Sequence, residues 1–128
     1  MISEWSIPLV IAMGAIPGAI VRYALTEWMK AKFGDRFPYG TFVINLTGCF
    51  LAGLCFILLT RFPQYPKELD LLIRIGFLGS YTTFSTYGYD TLTLSRKNNR
   101  MAGVYWAGSA ILGFLAVYLG IGVAMLWI

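Results

Sequence analysis

Gly76-Phe77-Leu78-Gly79-Ser80-Tyr81-Thr82-Thr83-Phe84-Ser85-Thr86-Tyr87-Gly88 is the stretch on which the reading of this chain turns. It lies inside an apolar run of membrane-crossing length, yet it gathers glycines and hydroxyl side chains that lipid-embedded helices rarely cluster. That composition predicts a locally opened backbone. In hydrocarbon, non-helical backbone survives only where protein or a water-filled cavity satisfies its polar groups. Carbonyls freed at such a break can hold a cation, and the aromatics beside it can shape a path. The segment therefore reads as the centre of an ion pathway, with the remaining chain as scaffold.

Composition supports a membrane setting. A chain of 128 residues is one domain by length. Its 58% hydrophobic and 12% charged content lies well outside the soluble average. The chain has no histidine, which removes the commonest metal ligand and the usual general base. Zinc-enzyme and Ser-His-Asp hydrolase readings end there, and no enzymatic activity is expected. The net charge of +4 sits in short loops rather than on one basic stripe interleaved with aromatics, so no nucleic-acid partner is expected. Cys49 and Cys55 are six apart in one apolar run and read as small buried side chains. Glu4 and the lack of a basic region before the first apolar run argue against a cleaved signal peptide.

Four spans are predicted, at about 5–27, 40–60, 69–95 and 101–127, each near the ~20 residues needed to cross ~30 Å of hydrocarbon. The first carries Pro8 early and Pro17 in its middle, which predicts a kink. Gly14 and Gly18 in the same span allow another helix to approach closely. Residues 30–38 read as a basic loop bending at Gly34-Asp35. The second span is uncharged, and its polar exceptions are Thr41, Asn45 and Thr47. Phe62-Pro63-Gln64-Tyr65-Pro66 closes a short loop. The third span holds Arg74 and Asp90 toward its ends, within reach of water, and is interrupted around 79–83. Residues 95–100 form the most polar loop. The fourth span is uncharged, with glycines at 103, 108, 113, 120 and 122 that read mostly as packing surface.

Lysines and arginines are uneven between the two sides. Lys30, Lys32, Arg36, Arg96, Lys97 and Arg100 lie on one, and Arg61 and Lys67 on the other, a bias that places both termini outside.

Several residues could carry chemistry. The Asn45 amide offers donors and an acceptor that lipid cannot leave unpaired, either as helix glue or as a donor to an anion. Phe84 and Tyr87 are three apart and share a helical face; an aromatic ring edge is electropositive and can meet a small anion weakly. Thr82, Thr83, Ser85 and Thr86 either bond back to their own helix or line a path. Arg22 is either a snorkelled anchor or a positive charge at a vestibule.

Three motifs together resemble a known family. Gly18-Ala19-Ile20-Val21-Arg22-Tyr23, Pro38-Tyr39-Gly40-Thr41-Phe42-Val43-Ile44-Asn45-Leu46-Thr47-Gly48, and the stretch from Gly76 to Thr86 resemble the Fluc family of small fluoride channels, the CrcB proteins. The resemblance implies an all-α integral membrane protein with four transmembrane helices, the third broken near its middle, in an antiparallel, dual-topology homodimer. It implies two fluoride pores at the subunit interface and a structural sodium ion on the two-fold axis. By motif position, Phe84 matches the first aromatic of the family's phenylalanine box, Asn45 its pore asparagine and Thr41 the threonine one turn earlier. The carbonyls of Gly79 and Thr82 match those that hold the sodium. Arg22 matches the vestibule arginine, and Tyr105 and Ser109 a polar track on the last helix.

Two positions depart from the pattern. Tyr87 stands where the second box phenylalanine is usual, and Gly113 where a further serine is expected. The uneven loop charge also sits awkwardly with dual topology, which wants near-balance. The function implied is passive, fluoride-selective export across the plasma membrane, the bacterial inner membrane. Asn45, Ser85, Thr41 and Ser109 and the edges of Phe84 and Tyr87 would replace fluoride's water shell. The rival is a small four-helix proton-coupled drug exporter, which wants a mid-membrane carboxylate; Glu4 and Glu27 only flank the first span. A non-transporting assembly subunit would leave the polar break unexplained.

Overall fold

The computed structural model describes residues 5–62 and 64–128; Glu4 and Pro63 lie outside the described residues. The described chain is all-helical. Helix α1 covers Ser6–Phe33, α2 Tyr39–Arg61 and α3 Lys67–Asp70. A π-helical run, Leu71–Leu78, continues into α4, Gly79–Tyr81. Helices α5, Phe84–Lys97, and α6, Asn99–Leu126, complete the fold. Helices α1, α2 and α6 are each long and apolar enough to cross a membrane. The protein is an integral membrane helical protein.

Helix ends differ from the expected boundaries for local reasons. Helix α1 runs on through Lys30 and Lys32 to Phe33 and stops where Gly34 turns to φ 77°, its N–H bonded to the Lys30 carbonyl at 2.9 Å. The two lysines in that last turn suit the negative end of the helix dipole. Pro17 lies inside a helix that continues past it on both sides. Residues 95–100 are not a loop. Only Asn98 leaves helical geometry (φ −155°, ψ 100°), because its N–H closes α5 on the Leu94 carbonyl while its side chain accepts the Met101 N–H that opens α6.

Glycines decide the packing. Helix α1 lies against the π-helical run, with Gly14 facing the Leu72 carbonyl, Gly18 the Phe77 carbonyl and Gly76 the Ile11 carbonyl. A side chain at any of the three would collide with backbone. The Ser80 hydroxyl donates to the Ala15 carbonyl at 2.8 Å across the same seam. The pair α2 and α6 forms the most extensive contact, closed by Gly53 on the Val117 backbone and Gly120 on the Phe50 backbone. Of the five glycines in α6, Gly113 and Gly120 pack; Gly103, Gly108 and Gly122 meet nothing among the described residues. Ile44, Leu78 and Tyr81 form one buried cluster, and Leu94, Ala102 and Tyr105 another.

Candidate functional site

The helix leaves its path at two residues. Thr82 (ψ 157°) and Thr83 (φ −149°, ψ 121°) are extended, whereas Gly79–Tyr81 remain helical. The switch follows the hydrogen bonds. The Thr82 N–H still reaches the Leu78 carbonyl at 3.0 Å, but the Thr83 N–H turns to Asn45 Oδ1 at 2.9 Å. Asn45 Nδ2 donates back to the Thr83 carbonyl, also at 2.9 Å, so one amide clamps both polar groups of one residue. The Thr83 hydroxyl caps α5 by accepting the Thr86 N–H at 3.2 Å. On the other flank Tyr81 and Thr47 share a hydroxyl contact of 2.8 Å. The Thr47 hydroxyl is directed at the Val43 carbonyl, which leaves Tyr81 as the donor between them.

One face of α2 organises these contacts. Thr41, Asn45 and Gly48 follow the i, i+4, i+7 spacing that stacks side chains on a single face. The Thr41 hydroxyl donates to Asp90 Oδ2 at 2.6 Å, Asn45 clamps Thr83, and Gly48 makes room for the Thr82 methyl. The third helical passage, residues 67–97 from α3 through α5, is thereby read off α2 in antiparallel order.

Asn45, Phe84, Tyr87, Ser109, Gly79 and Thr82 come together along an open trough of about 890 Å³. Phe84 stands 83% exposed on its rim, its ring 5.9 Å from that of Tyr87. The Tyr87 hydroxyl is committed to the Trp106 carbonyl at 2.6 Å, so it anchors the ring to α6. The Ser109 hydroxyl is buried with no partner among the described residues. Asn45 keeps one amide N–H beyond the one given to Thr83.

The other expected residues lie elsewhere. Thr41 belongs to a second, smaller crevice of about 250 Å³ with Thr86, Asp90, Lys30, Arg36 and Lys97. Tyr105 is 1% exposed, edge-to-face with Phe37 and tilted against Tyr87, and its hydroxyl has no partner among the described residues. Ser85 is exposed, 3.4 Å from the Thr83 hydroxyl. Arg22 is half-buried on α1 and lines neither hollow.

Sequence reasoning placed Asp90 near water and missed its bond to Thr41; a carboxylate in a helix of membrane depth was the available signal. It also missed Thr83 as the clamped residue, and Arg74 as a lining residue of the trough.

The break leaves polar backbone uncommitted at both edges. Among the described residues, no backbone N–H crosses it to the carbonyls of Gly79, Ser80 or Tyr81, and none reaches that of Thr82. Opposite them, the first N–H groups of α5 form the positive end of a 14-residue helix. No three Cys, Asp or Glu side chains gather into a metal-binding group among the described residues. Any ion here would meet amide groups, hydroxyls, ring edges and the Arg74 guanidinium.

Similarity to known proteins extends over most of the chain. A fluoride-specific ion channel FluC of Synechococcus sp. (strain JA-2-3B'a(2-13)) is 47% identical over 122 residues, covering 94% of each chain. The one of Trichormus variabilis is 50% identical over 116 residues, 89% of this chain and 85% of its own. That of Acidobacterium capsulatum is 44% identical over 111 residues, 86% of this chain and 89% of its own. The family model described as CrcB-like protein, Camphor Resistance (CrcB), matches residues 9–121, which take in α2, the clamped break and the trough, and the chain belongs to that family.

Proposed function

We propose that this protein is a passive, fluoride-selective ion channel. The observation that carries the proposal is the trough. An amide N–H, a buried hydroxyl, the N-terminal end of α5 and two aromatic edges converge beside a backbone break held open by Asn45. The names of the relatives point the same way. Fluoride is small and holds its water tightly, so a selective path must present several fixed donors in sequence, each weak enough to release the ion. Asn45 and Ser109 supply such donors in the trough, with the edges of Phe84 and Tyr87 between them. Thr41, Tyr105 and Ser85 would extend the path toward the crevice, and Arg22 would act at a vestibule.

The trough is open along one side, and Phe84 projects from it. A second copy of the chain, inserted antiparallel, would roof it and complete two paths at the subunit interface. In that assembly the third helical passage is a fourth crossing, made of two segments meeting at Thr82 and Thr83.

A sodium ion at the dimer centre suits the donors available, since hard cations prefer oxygen ligands and, among the described residues, the Gly79 and Thr82 carbonyls lack backbone donors. Those two residues of each chain would hold it, and it would supply a fixed positive charge beside an anion path. Conduction down a gradient across the plasma membrane would empty a cell whose internal fluoride exceeds that outside.

Fluoride efflux from liposomes holding the purified protein tests the proposal, with chloride as the control ion. Rapid fluoride release with chloride retained is expected. Retention of fluoride, or equal loss of both ions, would overturn it.

A further inference from the structure

Among the described residues, Arg74 is the one charged residue lining the trough. It lies in the π-helical run, two residues from Leu72 and Gly76, whose backbones face α1. That spacing turns Arg74 toward the opposite side, where Leu78, one turn on, enters the cluster with Ile44 of α2. Its guanidinium is held by Asp70, one turn earlier, through Nε on Oδ1 and through Nη2 on Oδ2 at 2.7 Å. Asp70 does not line the trough. The pair therefore stands as a fixed dipole with its positive end on the hollow. The bidentate contact uses two of five guanidinium N–H donors, and the rest are free to meet an anion.

We propose that Arg74 is the anion-collecting residue of the trough, and that Asp70 positions it. This rests on the channel reading. A cation at the wall of a low-dielectric hollow raises the local anion concentration and the entry rate, and added salt screens that effect. An arginine tethered to a carboxylate collects fluoride without binding it tightly, because the neighbouring negative charge limits how long the ion stays.

The test is the initial rate of fluoride efflux from liposomes for wild type, Arg74→Gln, Arg74→Lys and Asp70→Asn, at low and at high ionic strength. Arg74→Gln should lower the low-salt rate roughly three- to tenfold and approach wild type at high salt. Arg74→Lys should keep most of the rate, and Asp70→Asn should raise the low-salt rate. A rate for Arg74→Gln that equals wild type, or that falls equally at both salts, would overturn the assignment. If Arg74→Gln fails to fold, Arg74→Lys and Asp70→Asn decide: loss of most of the low-salt rate in Arg74→Lys, or any low-salt loss in Asp70→Asn, would overturn it. Absence of any wild-type fluoride flux would instead sink the channel reading, and this assignment with it.

Discussion

Leu71–Leu78 and Phe84–Lys97 lie on either side of two extended residues, and they pack by opposite means. The first run presses backbone to backbone against α1 through Gly14, Gly18 and Gly76. The second lies against α6, leaves Phe84, Ser85 and Thr86 exposed, and sends polar side chains to a few chosen partners. Close glycine packing gives many small dispersion contacts and no freedom to move. Sparse polar anchoring fixes the Thr83 backbone and the Asp90 carboxylate while keeping the space beside them open. One side of the break is a wall that lends Arg74 and Leu78 to the trough, and the other carries most of the polar site. A single chain holds both because α2 supplies a clamp, Asn45, at the junction.

The difference is broken most severely on the wall. Gly76→Val places a side chain on the Ile11 carbonyl and should cost about 3 kcal/mol or more, beyond ordinary overpacking because backbone, not a rotamer, must yield. Thermal unfolding in detergent measures it. Gly103→Ala, on the α6 surface that meets nothing among the described residues, should fall within about 0.5 kcal/mol of wild type. Equal losses in the two variants would refute the contrast.

Asn45→Ala removes both hydrogen bonds of the clamp and should cost about 1–3 kcal/mol, at roughly 0.6–1.7 kcal/mol for each polar contact in a membrane. Its signature is a rise in amide exchange at Thr83 and Phe84, with Leu72 and Gly76 unmoved. Spread of the exchange into 71–78 would mean that the wall depends on the clamp.

Thr83→Ala tests the cap alone and should cost about 1 kcal/mol, with fraying limited to the first turn of α5. Smallest is Tyr87→Phe. Losing the hydroxyl from the Trp106 carbonyl should cost about 0.6 kcal/mol and leave fluoride flux within about twofold, since the ring is retained. A large flux loss would show that the hydroxyl acts on the ion and not only on α6.

Much of this was legible in residues 41–48 and 76–88. Asn45 and the dense hydroxyl cluster marked a place where polar groups must be satisfied in lipid, and three motifs pointed to the family the chain belongs to. What the stretch could not display was partnership across sequence. The pairing of Asn45 with Thr83, 38 positions apart, and of Thr41 with Asp90, 49 apart, exists only once α2 lies along the third passage. Local context also overrode composition at two joints. Arg96 and Lys97 looked like loop residues but continue α5, because Asn98 alone serves as the end of one helix and the cap of the next. Lys30 and Lys32 extend α1 for the favourable dipole contact. The π-helical geometry of 71–78 rests on i→i+5 bonds, and a run of eight apolar-rich residues is too short to display the period that would distinguish it.

The measurement that bears most directly on the open side of the break is fluoride efflux of Asn45→Asp beside wild type in vesicles of the same composition. A carboxylate at position 45 still accepts the Thr83 N–H, but it sets a negative oxygen against the Thr83 carbonyl and faces the trough with charge. Repulsion of several kcal/mol in a low-dielectric site corresponds to a loss of about a hundredfold or more. Wild type should empty its vesicles while Asn45→Asp stays at the leak of protein-free vesicles. Equal fluoride efflux from the two would contradict the account, because it would remove Asn45 and the trough beside it from the path of the ion.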